Sequence, residues 1–231
     1  MTSSDFKMLS NSFETKSPQE LLAYVIEQYS PKIVVACSFG AEDVVLVDMV
    51  HRINPTVPVF YLDTDFLFPE TYATRDRVIE RYELKPTQVV HVKSLLTPQQ
   101  QADAHGDALW ERNPDQCCQL RKVDPLTRVL KGYSAWITGI RRDQAPSRAN
   151  AGLIEWDQKF ELVKINPLAR WTSTDVWSYI KIYEVPYNPL HDHHYPSIGC
   201  THCTKPVMPG QDPRSGRWQG SAKTECGLHK S

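Results

Sequence analysis

Short hydrophobic runs alternate with amphipathic stretches along most of the chain. Residues 32–37 are rich in β-branched side chains and predict a strand, and the apolar positions that follow Gly40 recur at helical spacing. A strand over 57–62, a polar turn and a helix over 69–82 repeat this plan. Strands that alternate with helices predict an α/β protein with a Rossmann-like open parallel sheet flanked by helices.

Local signals define further elements of this sheet and its helices. Ser17 followed by Pro18 is a typical helix start, and Thr172 with Asp175 forms a capping box that predicts another. Further strands are predicted over 88–92, 135–138 and 160–165. These strands would extend the sheet to five.

A third helix start precedes a pair of adjacent cysteines. Asn113 is a favourable N-cap and the next residue is proline, so Cys117 and Cys118 lie in the first turns of a predicted helix. Apolar residues continue along one face of this helix as far as Leu130, and Pro125 predicts a kink within it.

The regular pattern ends near residue 190. From 191 onward the chain holds five of the eight His, five of the ten Gly and three of the six Cys, with neither helical nor alternating periodicity. We predict that residues 1–190 form the α/β domain and that 191–231 form an irregular C-terminal segment of the same structural unit. Such a segment cannot build its own core, so shared metal ligands would have to attach it.

Composition and charge narrow the class of protein. The chain has 231 residues and 41% hydrophobic content, enough for a buried core, and its formal net charge of −1 gives no overall attraction to nucleic acid or an anionic membrane. Residues 1–15 are polar, and no apolar run is long enough to span a membrane. We expect a cytoplasmic protein whose six cysteines are metal ligands or reactive thiols rather than disulfides.

Two pairs of cysteines are candidate metal ligands. Cys117 and Cys118 are adjacent, and Cys200 and Cys203 form a C-x-x-C turn that places two thiols on one side of a short loop. Four thiolates suit a structural zinc ion or an iron–sulfur cluster, and spacing alone favours zinc. Burial as small apolar side chains and a disulfide within the doublet remain open. Cys37, in the first predicted strand, is expected to pack in the core.

Three turns are predicted to meet at one edge of the sheet, because parallel strands place their carboxyl ends together. Ser38 and Gly40 follow the first strand at a helix N-terminus, where free N–H groups attract anions. Leu62 ends the second strand, and Arg141 and Arg142 follow the fourth. The first turn lacks the lysine of a Walker P-loop, so the edge predicts an anion-binding cleft and not a site for magnesium-bound nucleoside triphosphate.

The end of the chain adds positive charge and one more thiol. Arg214 and Arg217 extend the cationic set, and Cys226 stands three residues before His229. A neighbouring imidazole or cation favours the thiolate, so Cys226 is a candidate nucleophile. An incidental exposed thiol is the alternative interpretation.

Taken together, these motifs resemble the thioredoxin-dependent assimilatory adenylylsulfate (APS) reductases. The resemblance covers about residues 32–229 and depends on the combination of motifs, which is more specific than any single one. The motifs are the cysteine doublet with the C-x-x-C turn, Ser38-Phe39-Gly40, Leu62-Asp63-Thr64, Gly139-Ile140-Arg141-Arg142-Asp143-Gln144 and Glu225-Cys226-Gly227-Leu228-His229. The family also includes phosphoadenylylsulfate (PAPS) reductases, which generally lack the doublet and the C-x-x-C turn.

The resemblance implies a reaction and a role for each motif. Reduced thioredoxin would convert APS to sulfite and AMP through an S-sulfo intermediate on Cys226, in sulfate assimilation and cysteine biosynthesis, with Lys122 and His229 as further catalytic residues. A [4Fe–4S] cluster would have the ligands Cys117, Cys118, Cys200 and Cys203. Substrate would contact Ser38, Gly40, Leu62, Arg141, Arg142, Arg214 and Arg217. The implied fold is the adenine nucleotide alpha-hydrolase-like α/β sheet, and a homo-oligomer is consistent with the family.

Other interpretations remain open at this point. PAPS reduction, or the use of both nucleotides, depends on the surroundings of the ribose 3′ position. A nucleotide-binding protein with a zinc Cys₄ site is a more distant alternative. An ATP pyrophosphatase or sulfur-insertion enzyme of the same fold is disfavoured, because the first turn departs from the SGGxDS pattern of those enzymes.

Overall fold

The centre of the molecule is a six-stranded sheet within the described residues. The computed structural model describes residues 3–221 and 223–228. Its strands are β1 (Ile33–Ala36), β2 (Val59–Asp63), β3 (Val89–Lys93), β4 (Ala135–Ile137), β5 (Ile154–Asp157) and β6 (Leu162–Ile165). They lie in the order β3-β2-β1-β4-β6-β5, and every neighbouring pair is parallel except β5 with β6. The predicted Rossmann-like α/β fold is confirmed.

Helices cover both faces of this sheet. They are α1 (Ser3–Ser12), α2 (Pro18–Tyr29), α3 (Ala41–Ile53), α4 (Pro69–Arg81), α5 (Pro98–His105), α6 (Leu109–Arg112), α7 (Pro114–Cys118), α8 (Asp124–Leu130) and α9 (Ser173–Tyr183). Reciprocal capping boxes begin α2, between Ser17 and Glu20, and α9, between Thr172 and Asp175. The two helix starts predicted from these residues are therefore confirmed.

Two hydrophobic clusters flank the central strand. Val35 packs on the face that carries α2, α3 and α9, whereas Val34 packs with Trp136 and Leu126 on the face that carries α8. The two valines are adjacent in β1 and both are fully buried, because successive strand residues point to opposite faces. A strand covered on both faces is continuously hydrophobic, which is why residues 32–37 show no alternation.

Two elements at one edge of the sheet were not predicted. β5 pairs antiparallel with β6, so the sheet is mixed and not wholly parallel as expected. Helix α1 packs on β5, and the rings of Phe6 and Trp156 stack with 6.0 Å between centroids. Only Ile154 among the four residues of β5 is buried, which leaves almost no periodic signal. Since α1 is largely polar, packing on this strand provides its stabilisation.

The helical region around the cysteine doublet is irregular. Helix α7, a π-helical turn over Gln119–Val123 and α8 follow one another directly. Asn113 caps α7 as predicted, since its Oδ1 accepts the Gln116 N–H at 3.0 Å. The irregularity expected at Pro125 lies one turn earlier, because proline has no N–H to offer the Arg121 carbonyl.

The C-terminal segment folds back against the α/β domain. Cys200 forms an isolated β-bridge with Leu67, and Thr204 forms another with Arg217. Short 3₁₀ turns occupy Pro189–His193 and Thr201–Cys203. Within 3–221 and 223–228, no helix has both the length and the apolar character needed to span a membrane.

Candidate active site

A cavity of about 850 Å³ opens at the carboxyl ends of β1, β2 and β4. Its wall includes Ser38 and Gly40 after β1, Leu62 at the end of β2 and Arg141 after β4. The prediction that these three turns converge is confirmed. The C-terminal segment forms another part of the wall, so the cavity lies between the sheet edge and the end of the chain.

The turn after β1 presents a helix N-terminus to the cavity. Gly40 is the N-cap of α3 and, having no side chain, makes no side-chain capping hydrogen bond to that helix end. The Ser38 N–H and Oγ both donate to Asp43 Oδ2, at 2.7 and 2.6 Å. Desolvation raises the pKa of Asp43 to about 6, although the Ser38 hydrogen bonds oppose this rise. The Ser38 and Asp43 side chains therefore fix a turn whose backbone donors suit an anion.

Gly139, in the turn after β4, lies so close to this first turn that a side chain does not fit. A Cβ atom there would lie 2.2 Å from Asp43 Oδ1 and 2.9 Å from Glu42 Cβ. We expect Gly139→Ala to lower the free energy of unfolding by about 1–3 kcal/mol, because the start of α3 must shift. Urea denaturation measures this change.

The matched control for this prediction is Gly132→Ala, where the nearest atom to a Cβ is the Val129 carbonyl oxygen at 3.8 Å. That variant should unfold within about 0.5 kcal/mol of the parent protein. Equal urea midpoints for the two variants would contradict the close approach of the two turns.

Consecutive arginines after β4 lie in different environments. Arg141 is buried, lines the cavity and donates from Nε to Glu42 Oε1 at 2.9 Å. Arg142 instead donates from Nη1 to Glu14 Oε2 at 3.1 Å and is not part of the cavity wall. Arg141 has an extended backbone, so the two side chains project to opposite sides. Of the two predicted substrate-binding arginines in this turn, the structure therefore places Arg141 in the cavity wall and Arg142 outside it.

The arginines of the C-terminal segment lie over the cavity as expected. Arg217 has its guanidinium 4.5 Å from the centre of the Trp218 ring. Gly199 makes room for it, since a Cβ there would lie 2.3 Å from Arg217 Nη2. Arg214 donates from Nη2 to the Thr224 carbonyl oxygen at 2.9 Å. Both cations line the cavity and give it a positive wall in a chain of nearly zero net charge.

The candidate nucleophile lines the same cavity. Cys226 is half-buried, and Lys122 is part of the same wall. Burial lowers the pKa of Lys122, but electrostatic interaction with the nearby Cys200, Cys226 and Cys118 outweighs it and raises the pKa overall. Lys122 is thus an ammonium group close to these cysteines. His229, predicted to assist Cys226, lies outside the described residues.

The four predicted ligand cysteines come together beside Lys122. Burial raises the pKa of Cys117 to about 12, and the charges of Cys118, Cys200 and Cys203 add to this effect. The Cys200 Sγ lies 3.2 Å from Thr64 Oγ1, and all four residues are free thiols. Among the residues that the structure describes, no three His, Cys, Asp or Glu side chains group as ligands of one metal ion would.

Two buried N–H donors on residues near these cysteines have no acceptor among the described residues. They are Arg121 Nη2 and Trp218 Nε1. Arg121 is 1% exposed, and its charge lowers the pKa of Cys117. The Trp218 backbone N–H donates to the Cys203 carbonyl oxygen at 3.2 Å. A buried donor is costly when it has no acceptor, so this region is suited to a further polar group.

Arg148 and Glu225 are two further residues near the cavity that no sequence motif predicts as site residues. Arg148 donates from Nε and Nη2 to the two carboxylate oxygens of Glu225, with both distances 2.9 Å. The two residues are 77 positions apart, so no local pattern pairs them. The available signal was a carboxylate directly before Cys226, in a segment with more cations than carboxylates.

The strand order reverses between β1 and β4, and the cavity lies beyond the carboxyl ends of these neighbours. This arrangement defines the class of nucleotide-binding α/β proteins. Residues 32–206 match the family model described as the phosphoadenosine phosphosulfate reductase domain. The chain belongs to this reductase family.

Individual relatives extend over nearly the whole chain. It is 49% identical to adenosine 5′-phosphosulfate reductase from Shouchella clausii, over 99% of this chain and 94% of the relative. It is 48% identical to phosphoadenosine 5′-phosphosulfate reductase from Gloeobacter violaceus, over 96% and 92%. The crystal structure of phosphoadenylyl-sulfate (PAPS) reductase from Candida auris superposes with a TM-score of 0.79 at 32% identity, over 89% of this chain and 98% of that one.

Proposed function

We propose that the protein reduces adenosine 5′-phosphosulfate to sulfite and AMP in sulfate assimilation, using thioredoxin as the reductant. One observation carries the proposal: Cys226 lies in the same cavity as the α3 N-terminus and several cations. A thiolate is a suitable nucleophile for sulfur, and an anionic substrate can be approached only where its charge is neutralised. The name of the Shouchella clausii relative supports APS as the substrate.

The proposed reaction has two thiol steps. The Cys226 thiolate attacks the sulfur of the phosphosulfate group, a sulfur–sulfur bond forms, and AMP leaves with the electron pair of the broken sulfur–oxygen bond. A thioredoxin thiolate then attacks Cys226 Sγ and releases sulfite. The second thioredoxin thiol resolves the mixed disulfide, which restores the Cys226 thiol. The two electrons that reduce the sulfonyl group come from the thioredoxin dithiol, whose reduced state fits the cytoplasm.

The other cavity residues bind and neutralise the substrate in this proposal. Lys122 lies beside Cys226 and stabilises the charge that develops on the leaving phosphate. Arg141, Arg214 and Arg217 contribute further positive charge, and His229 would complete the set from the chain terminus. The nucleotide contacts Ser38, Gly40 and Leu62, with an anionic group at the α3 N-terminus.

A [4Fe–4S] cluster is the proposed cofactor, with Cys117, Cys118, Cys200 and Cys203 as ligands. The fit is supported by four neighbouring free thiols and by the buried Arg121 and Trp218 donors that lack an acceptor among the described residues. These four thiolates would hold the cluster together, and ligands that share a cluster need not converge on one point as four ligands of a single zinc ion would. Donors to cluster or thiolate sulfur are a common way in which proteins tune such sites.

When bound, the cluster would link α7 to the C-terminal segment and add negative charge near Lys122. This role is structural and electrostatic, because the thiol steps account for both electrons. It also fits the proposed organisation of the chain, in which residues 1–190 bind the nucleotide and 191–231 carry two cluster ligands and the nucleophile. Zinc at the same thiols is the alternative, and iron and sulfide analysis distinguishes the two.

An anaerobic steady-state assay with reduced thioredoxin tests the substrate. We expect kcat/KM for APS to exceed that for PAPS by about 10²-fold, because an added phosphate must be buried with its own partners. Arg141 already pairs with Glu42, and Arg148 already pairs with Glu225. Equal kcat/KM values for APS and PAPS would establish that the enzyme uses both nucleotides, a possibility raised by the name of the Gloeobacter violaceus relative. A higher kcat/KM for PAPS would contradict the assignment of APS as the substrate.

A further inference from the structure

The nucleophile lies on a short segment that is attached to the α/β domain on both sides of Cys226. We call residues 223–228 the Cys226 segment. After the thiol, the Gly227 carbonyl oxygen accepts from Lys159 Nζ at 2.7 Å, and Leu228 packs on the hydrophobic cluster around Trp136. Before the thiol, the attachment is made by Glu225.

Glu225 is the residue of the Cys226 segment that pairs with two arginines, Arg148 and Arg214. It is 5% exposed, and both oxygens accept from the forked guanidinium of Arg148. Ser147 Oγ donates to Oε1 at 3.2 Å, and Arg214 Nη2 donates to Oε2 at 3.1 Å. Burial alone would raise the pKa of Glu225, but Arg148 and Arg214 outweigh it and the pKa is lowered. The carboxylate is therefore ionised and paired on two sides.

The pairing partner belongs to the wall of the substrate cavity. Arg148 ends the 3₁₀ turn Pro146–Arg148, and its Nη1 donates to Gln144 Oε1 at 2.6 Å. Gln144 Oε1 also accepts the Arg141 N–H at 3.1 Å. Glu225 is thus joined through Arg148 and Gln144 to the turn after β4. This connection fixes the residue before the nucleophile relative to the residues proposed to hold the substrate.

We propose that the Glu225–Arg148 ion pair is a latch that docks Cys226 in the cavity for attack and is released when the reductant acts. The inference rests on the proposed two-step reaction. In the first step Cys226 must face the bound nucleotide, and the latch fixes it there. In the second step a whole protein must reach Cys226 Sγ, which is half-buried in the cavity wall, so the segment must move outward. Glu225 and Arg148 are positioning residues in this scheme.

The latch predicts opposite behaviour in the two half-reactions. Glu225→Gln keeps the size of the side chain and removes the charge that Arg148 binds. We expect alkylation of Cys226 by iodoacetamide to become about tenfold faster or more, because breaking a buried ion pair favours the undocked segment. In single turnovers, formation of the S-sulfo adduct should slow by a similar factor, whereas sulfite release from the preformed adduct by reduced thioredoxin should not slow.

The experiment uses the intact chain with its cofactor, prepared without oxygen, and peptide mass spectrometry to follow Cys226. Glu80→Gln is the matched control, because Glu80 is exposed on α4, and it should behave as the parent protein. Arg148→Gln should change the rates of Cys226 alkylation and adduct formation as much as Glu225→Gln does. The double variant should change these rates no more than the single variant with the larger effect. Arg148→Lys, which keeps the charge and loses the fork, should give a smaller increase in alkylation.

Unchanged alkylation of Cys226 in Glu225→Gln and in Arg148→Gln would overturn the latch. The latch would also be overturned if the fold-changes in alkylation rate of the two single variants multiplied in the double variant, because the two residues would then act separately. A rise in KM confined to Arg148→Gln would instead assign Arg148 to the substrate. If the parent protein forms no adduct with APS, the proposed function fails, and the alkylation comparison still decides the latch independently.

Discussion

Replacing Cys226 with serine is expected to abolish sulfite formation while leaving the fold unchanged. The hydroxyl is slightly smaller than the thiol and so fits the same space, but it is not ionised at neutral pH and is a poor nucleophile for sulfur. Loss of an enzyme's nucleophile costs about 10⁴-fold or more in turnover, so the variant should be inactive within error. The measurement is sulfite formed per enzyme under anaerobic conditions with APS and reduced thioredoxin.

Cys37→Ala provides the matched control for this loss, because it removes a thiol that borders the same cavity but packs in the hydrophobic core and has no part in the proposed reaction. That variant should retain sulfite formation, with a cost only in the free energy of unfolding. Sulfite formation by Cys226→Ser at a tenth of the parent rate or faster would contradict the assignment of the nucleophile.

Replacing Cys203 with serine is expected to have the second largest effect, the loss of the iron–sulfur cluster. Cys203 is half-buried, so the substitution disturbs packing less than a change at the buried Cys117, Cys118 or Cys200. Because a hydroxyl is a much weaker ligand for iron than a thiolate, iron and acid-labile sulfide per chain should fall about tenfold or more. The brown absorbance should fall with them, and turnover should be lost.

The control for this measurement of iron and sulfide is the Cys226→Ser variant. Cys226→Ser should keep the iron and sulfide content of the parent protein, because Cys226 is not among the proposed ligands. Full retention of iron and sulfide in Cys203→Ser would contradict the ligand set. If the parent protein contains one zinc ion and no sulfide, the four cysteines form a zinc site and not an iron–sulfur cluster.

The central part of the fold was predictable from local sequence because each signal has a local physical cause. Ser17 and Thr172 cap the helices that follow them, and the run around Val34 is continuously hydrophobic because both faces of β1 are covered. Once the sheet is parallel, its connectivity brings the turns at Ser38 and Leu62 to one edge. The cavity therefore follows from elements that sequence patterns identify well.

The remaining features depend on contacts that sequence does not encode locally. β5 is defined by its partner β6 and by α1, and its own four residues carry little pattern. Which of Arg141 and Arg142 faces the cavity depends on the backbone at Arg141, which is extended and points the two consecutive side chains to opposite sides. The pairing of Arg148 with Glu225 joins residues 77 positions apart. Motifs predicted which residue types the site contains, and the fold determined which of them meet.

The C-terminal segment shows this difference most clearly. Its composition predicted an irregular chain that only shared metal ligands would attach. The structure adds two attachments of another kind, the ion pair of Glu225 and the contact between Lys159 and Gly227. The segment that carries Cys226 is thus held by charge as well as by its proximity to the four thiols.

The most direct test of the proposed reaction is the mass of the intact protein after incubation with APS in the absence of any reductant. Attack by Cys226 predicts a stoichiometric increase by the mass of one SO₃ group, located by peptide mapping on Cys226 and removed, with release of sulfite, when reduced thioredoxin is added. An unmodified protein that nevertheless produces sulfite once thioredoxin is present, or an adduct on another cysteine, would contradict it.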